Sequence, residues 1–325
     1  MKTYSVVQSN TFIRDFSLDK KVDIVAIKLF KAILAKVNNN DTLFKDFYEI
    51  DYKTLDLAGV PKNNRFEIIR ESLKTLANTY IKMNKAHLLN MEDLPEDSLK
   101  WVRTMEDDDE LEIGVINNRF IYKKRTGKIT LSLAPELREF FLNLSKEYTI
   151  YDLEYLRKLN TNTEVKLYEI LKSWANKGEF FITLDNLKIQ LDLKAKQYEQ
   201  YFNLKKLLKK SIYNITMNTD LYVEFKEYTE DSVEISPNQR SLKVFKLQFV
   251  IKDKDSFKEI DIYSLLYKRF KDQSGKILII IKIEHKGENM YDMIMSNVET
   301  GDKATLPKPL PKEVLYNWVN ENLVN

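Results

Sequence analysis

One order of elements occurs twice along this chain, and it constrains the fold more than any composition value. The first pass begins with "LDKKVDIVAIKLFKAILAKV", where Val22, Ile24, Val25, Ile27, Leu29, Phe30, Ile33, Leu34 and Val37 leave only a narrow polar face. Such a helix belongs in a core. "FYEIDYKTLDLAGV" then gives a short strand, an N-cap at Asp51, a brief helix and a stop at Gly59. After Pro61, "KNNRFEIIRESLKTLANTY" predicts a longer helix with Phe66, Ile69, Leu73, Leu76 and Ala77 on one face. A short helix, a tight corner and a longer helix make a helix-turn-helix. Strand-like segments follow in "YIKM", "WVRTM", "LEIGVI" and "RFIYKKRTGKITLSL", whose "RTGK" suits a hairpin turn. Strands directly behind a helix-turn-helix form a wing.

The second pass is reached through helices expected in "APELREFFLNL" and "YDLEYLRKL". "TNTEVKLYEILKSWANKG" buries Val165, Leu167, Tyr168, Ile170, Leu171 and Trp174 and stops at Gly178. The strand "FFI", an N-cap at Thr183, the helix "LDNLKIQL", a corner at "DLK" and a long helix over 198–215 come next. "LYVEFKEYTE" and "SLKVFKLQFVI" then supply two strands around a turn at Pro237. No residue-level identity links the two passes, so the repetition is architectural.

The fold class expected is therefore α+β: two tandem winged-helix domains, 1–145 and 146–254, followed by a small C-terminal α/β module, 255–325. In that module an amphipathic helix is expected around "IYSLLYKRF", strands in "KILIIIKIEHK" and "YDMIMSNVET", a turn at "LPKPLPKE", and a final helix bearing Val314, Leu315 and Trp318.

Composition bears mainly on what is excluded. A chain of 325 residues with 43% hydrophobic content can fill more than one core. The absence of cysteine rules out disulfides, thiolate nucleophiles and cysteine zinc sites. His87 and His285 fall in different expected units, which disfavours a histidine metal pair or a Ser-His-Asp triad. Neither a Walker-type nor a dinucleotide-binding glycine motif occurs, since "TGKI" and "SGKI" lack the upstream glycine. Neither a catalytic residue, a metal site nor a cofactor is expected. The N-terminus has no signal-peptide core, and the longest apolar run, 277–281, reads as one strand, so no membrane association and a cytoplasmic location are expected.

A net charge of +3 says little about a polyanionic partner, so local charge decides. Residues 91–112 carry about ten acidic and two basic side chains and read as an acidic surface loop. "YEQYFNLKKLLKKSIYNI" is the opposite case. With Leu208 set at zero on a helical projection, Tyr201, Leu204, Ile212 and Ile215 fall within about 40° of it, while Asn203, Lys206, Lys210 and Tyr213 lie opposite. Lys205 and Lys209 flank that face, and Lys194 and Lys196 precede it. A solvated face or a membrane-surface helix would also carry such lysines. As the second helix of a helix-turn-helix, however, it would offer Gln197, Asn203 and Lys206 to a major groove and Lys209 and Lys210 to phosphates. The first unit offers Lys62, Asn63, Asn64 and Arg65 at the start of its long helix. Arg119, Lys123, Lys124, Arg125 and Lys128 fill its wing, where five basic and no acidic residues lie between 119 and 128. Glu67 and Glu71 on the first long helix repel phosphates, so the second unit is expected to dominate affinity.

The ordered series "SVVQSNTFIRDFSL", "YEIDYKTLDLAGV", "SLKTLANTYIKM", "KEYTIYDLEYLRKLNTNTEVKLYEILKSW", "LDNLKIQL" and "YEQYFNLKKLLKKSIYNITMNTDL" resembles the Rep initiator family of theta-replicating, iteron-controlled bacterial plasmids, over about residues 5–251. That resemblance implies two tandem winged helices that bind direct repeats of double-stranded DNA in a plasmid origin and help open adjacent A/T-rich DNA. It also implies recruitment of a host replication initiator, helicase or primase. A homodimer in equilibrium with monomer, formed through the first domain and repressing its own promoter, is implied as well, without enzymatic activity. The recognition helices carry over to residues 62–79 and 196–213. Asn214, Ile215 and Thr216 depart from the acid-Ile-Asn triplet usual before "TDL", and residues beyond about 255 have no counterpart. A winged-helix transcription regulator without replication activity, a tyrosine recombinase or nickase, and an interaction scaffold are the alternative readings.

Overall fold

A computed structural model describes residues 4–15, 17–18, 22–84, 110–123, 125–144, 147–193, 196–236, 242–254, 262–272, 274–287 and 289–324. The expected strand "WVRTM", nearly all of the acidic loop, His87 and the turn at Pro237 lie outside the described residues. The chain divides into two compact units, Met1–Thr219 with Val223–Ile251, and Asp220–Tyr222 with Lys252–Asn325.

The first unit holds the first winged helix and all of the second but the ends of two strands. Its opening helix is α2 (Ile24–Leu34), capped by Asp23, whose carboxylate accepts from the backbone N–H groups of Val25 and Ala26. β3 (Tyr48–Ile50), α3 (Tyr52–Ala58) and α4 (Arg65–Ala77) follow. Asp51 caps α3, and Gly59 ends it in the left-handed region at φ 77°. The wing is β6 (Ile116–Lys123) and β7 (Lys128–Leu133), and the sheet order is β3-β7-β6. Ile69, Leu73 and Leu76 of α4 are buried together with Ile50, Leu55, Ile129 and Leu131.

The second winged helix runs α6 (Asn162–Trp174), β9 (Glu179–Thr183), α7 (Leu184–Gln190), α8 (Tyr201–Asn218), β10 (Leu221–Tyr228) and β11 (Lys246–Asp253). Its sheet order is β10-β11-β9. In both, the strand before the helix-turn-helix pairs with the last strand of the wing, so the two passes share one topology. α6 opens with a capping box in which the Thr161 side chain accepts from Glu164 N–H and the Glu164 carboxylate accepts from Thr161 N–H.

Three features of the first unit depart from the expected elements. β1 (Ser5–Ser9), where no strand was expected, pairs antiparallel with β8 (Tyr148–Asp152), in register Val7 to Ile150. α1 (Asn10–Asp15) follows β1, and Phe12 packs edge-on to Phe141 of the one-turn helix α5 (Arg138–Phe141), with ring centroids 4.8 Å apart. "YDLEYLRKL" is not an α-helix: β8 runs into a 3-10 helix at Leu153–Lys158. An additional sheet joins β2 (Ser17–Leu18), β4 (Tyr80–Asn84) and β5 (Glu110–Gly114).

The second unit is built on one antiparallel sheet in the order β12-β13-β14-β15, formed by β12 (Arg269–Lys271), β13 (Ile277–Gly287), β14 (Met290–Asn297) and β15 (Lys303–Thr305), with β16 (Leu310–Pro311) on β14. Leu278, Ile280, Ile283, Met293 and Met295 alternate onto the face covered by Leu315 and Val319 of α9 (Lys312–Glu321). The helix expected around "IYSLLYKRF" is instead a single 3-10 turn, Ile262–Leu265, followed by β12. Phe270 is the reason: it is fully buried on the sheet and sits edge-on to Trp318, at 5.0 Å, which a continuous helix would not allow.

Candidate nucleic-acid interface

The second winged helix presents its cations outward. Leu204, Leu208, Ile212 and Ile215 of α8 are buried, as the helical projection requires, while Lys206, Lys209 and Lys210 are exposed. None of these three lysines has an acidic partner among the described residues. Lys205 differs: it forms an ion pair with Glu227 on β10, which also accepts from the Tyr201 hydroxyl at 2.7 Å. Burial and the Glu227 carboxylate push the Tyr201 phenol upward in pKa, so it stays a donor. This cluster ties the N-terminal half of α8 to its own wing.

The other end of α8 is tied to the opening helix of the same fold. Asn214 Nδ2 donates to Glu164 Oε1 at 2.7 Å, and Glu164 is the residue that closes the α6 capping box. Thr216 Oγ1 accepts from Val223 N–H at 3.3 Å. Asn214 and Thr216 therefore hold the base of α8 through neutral donors and acceptors.

The remaining second-domain candidates cluster at the helix approach. Lys196 is exposed at the start of a 3-10 turn, Lys196–Tyr198, which also contains Gln197; the Gln197 side chain and Lys194 lie outside the description. Asn203 is half-buried in the first turn of α8. Helix periodicity missed Phe202, which is 74% exposed beside Lys206. The signal was present: an aromatic at 202 falls off the buried stripe 204, 208, 212, 215.

The first winged helix spends part of its charge internally. The Arg65 guanidinium bonds Asp56 and donates to the carbonyls of Val60 at 2.9 Å and Pro61 at 3.0 Å, so it braces the helix-turn-helix corner. Lys62 reaches the same carboxylate at 3.6 Å. Burial pushes Asp56 upward, but the hydrogen bond and charge of Arg65, with Lys62, outweigh it and hold the carboxyl below its ordinary range. Lys128 pairs with Glu49 at 2.6 Å. Asn63 is exposed, and Asn64 precedes α4 in the left-handed region at φ 49°, with no side-chain cap bond. Arg119 sits within β6, Lys123 is exposed at its end, Arg125 is exposed in the wing turn, and Lys124 lies outside the description.

An aromatic clasp joins wing to helix here. Phe66 of α4 stacks on Tyr122 of β6 with centroids 4.9 Å apart, and the Tyr122 and Tyr52 hydroxyls lie 3.3 Å apart. A Cβ on Gly127 would meet the Tyr52 ring at 2.0 Å, so the wing turn closes over that ring only because residue 127 has no side chain. On α4 itself Glu67, Arg70 and Glu71 are exposed, and Lys74 pairs with Glu71 at 2.9 Å. Both signs of charge thus stand on the exposed face of α4.

Among the described residues no helix is long and apolar enough to cross a membrane. No curated protein matches the chain. A solved structure, "Crystal structure of Pi initiator protein in complex with iteron DNA", matches with a TM-score of 0.56 and 18% identity, over 78% of this chain and 100% of that one, a likeness of fold. The family model described as "Initiator Replication protein, WH1" matches residues 5–172, just over half of the chain. The chain belongs to the initiator replication protein family.

Proposed function

We propose that this protein is a plasmid replication initiator that binds repeated duplex sequences at its origin, promotes opening of the neighbouring DNA and recruits host replication proteins. The observation that carries this reading is the exposed row Lys206, Lys209 and Lys210 on the long helix of a winged helix, free of acidic partners among the described residues. Lysines placed so neutralise phosphates while the same helix enters the major groove. The likeness to an initiator solved with iteron DNA supports a duplex as the partner. In this reading residues 146–254 supply most of the affinity and residues 1–145 add a second, weaker contact and a dimer surface, so that the dimer represses the gene. Residues 255–325 form a separate module. The protein acts by binding and deforming DNA, with no covalent step.

The test is replication itself. A fragment carrying the gene and its flanking DNA, joined to a marker and lacking any other origin, is expected to replicate autonomously, and the purified chain to bind tandem repeats within it. Binding to a single palindromic operator on a fragment that does not replicate would make the protein a transcription regulator instead. A protein–DNA adduct that survives a denaturing gel would make it a recombinase or nickase.

A further inference from the structure

The outermost line of α8 is not purely cationic. Phe202, Lys206, Lys209 and Tyr213 follow one another at steps of four, three and four residues, which keeps them on one narrow strip of the helix. Among the described residues no large hydrophobic side chain is more exposed than Phe202. It stands at the second position of the helix, one turn ahead of Lys206.

The charge of that strip selects the occupant. Lysines without a carboxylate partner among the described residues draw a polyanion, and whatever they hold must also meet the ring one turn ahead of them. Phe202 has no donor or acceptor, so it can neither hold a phosphate nor pair with a base edge. On the floor of the major groove the apolar group offered is the 5-methyl of thymine. A helix about 10 Å across fits the major groove but not an undeformed minor groove about 6 Å wide, so a side chain on α8 meets regular duplex from the major-groove side.

We propose that Phe202 is a specificity-determining residue that reads thymine 5-methyl groups in the recognised repeat. The proposal rests on α8 being the helix that enters the duplex, and it adds a base preference that the lysines cannot supply. It also accounts for an aromatic ring kept in solvent where another lysine would strengthen phosphate binding.

The experiment uses the full chain and the duplex that it selects from a random-sequence pool. Thymines in that duplex are replaced one at a time by deoxyuridine, which removes the methyl and leaves base pairing intact. Wild-type protein is expected to lose about fourfold in affinity at one or two thymines, the effect of withdrawing one buried methyl-sized group. Phe202→Ala is expected to bind thymine and deoxyuridine duplexes equally, with its salt dependence unchanged because no phosphate contact is lost. Equal binding of both duplexes by the wild type, or an undiminished deoxyuridine effect in Phe202→Ala, overturns the proposal while leaving duplex binding in place. A Phe202→Ala protein that binds DNA as the wild type does yet fails to support replication also overturns it, and assigns the ring to a protein partner. If the wild type selects no sequence at all, the underlying reading of α8 fails first, and that result is distinct from the others.

Discussion

Lys31 Nζ lies 2.6 Å from Glu169 Oε1, and both side chains are almost wholly buried. The pair joins the opening helix of the first winged helix to that of the second. Gln8 of β1 completes it, donating to Glu169 at 2.8 Å and accepting from Lys31 at 2.9 Å, and the Tyr151 hydroxyl of β8 also donates to Glu169. Lys31 of α2, Gln8 of β1 and Tyr151 of β8 thus converge on one carboxylate oxygen of α6.

Removing one member leaves the other as an uncompensated buried charge. Lys31→Met or Glu169→Gln is expected to cost about 3–5 kcal/mol of unfolding free energy in urea, whereas Lys31→Met with Glu169→Leu recovers most of it. Burial pushes Glu169 upward, but the Lys31 charge and the hydrogen bonds of Lys31 and Tyr151 outweigh it and hold the carboxyl below its ordinary range. Its folded pKa is thus depressed relative to the unfolded chain. The stability it contributes is present above the unfolded carboxylate range, about pH 4.3, and is lost as pH falls through the folded value. Glu169→Gln is expected to flatten that part of the acid-stability curve; an unchanged acid limb means that the pair does not set it.

Gly59 tests the packing of the first helix-turn-helix against the 3-10 helix 153–158. Its φ of 77° disfavours any side chain, and a Cβ there would meet the Arg157 carbonyl oxygen at 2.7 Å. Gly59→Ala is expected to destabilise by about 2 kcal/mol or more, since backbone strain of about 1 kcal/mol adds to a clash with main chain that cannot swing away. A thermal midpoint equal to that of the parent would mean that this contact is absent in solution.

The paired helix-turn-helix plan, the capping residues Asp51 and Thr183, the stop at Gly59 and the buried stripe of α8 were legible because each depends on neighbours within a few turns. The β1–β8 ladder was not, because its partners are about 140 residues apart and neither strand alternates strongly enough to announce the other. Lys28 and Lys31 read as the polar edge of a helix, yet both are buried, and only the distant Glu169 and the Arg157 carbonyl explain where their charges go. Among the site residues, spacing placed the α8 lysines outward correctly, but it could not tell that Arg65 and Lys128 are taken up by Asp56 and Glu49. Such pairings are tertiary facts.

Asn214 is where the base of α8 is held. Asn214→Asp would set a carboxylate 2.7 Å from Glu164, replacing a donor by a like charge. The expected cost is about 1–3 kcal/mol in stability, together with weaker binding to every duplex as the helix loses its seat. Asn214→Gln, which keeps the amide, is expected to fall between the two. If Asn214→Asp is as stable as the parent and binds as tightly, Glu164 does not position the helix.

The salt dependence of binding measures the contribution of the cationic face of α8 directly. For Lys206→Glu with Lys210→Glu, the slope of log affinity against log salt on the selected duplex is expected to shallow by about two phosphate contacts, with weaker binding to every sequence. Lys62→Glu with Lys128→Glu, which removes lysines already facing Asp56 and Glu49, is expected to change the slope less. A Lys206→Glu, Lys210→Glu protein that binds with the parent's affinity and the parent's slope would contradict the assignment of α8 as the helix that grips DNA.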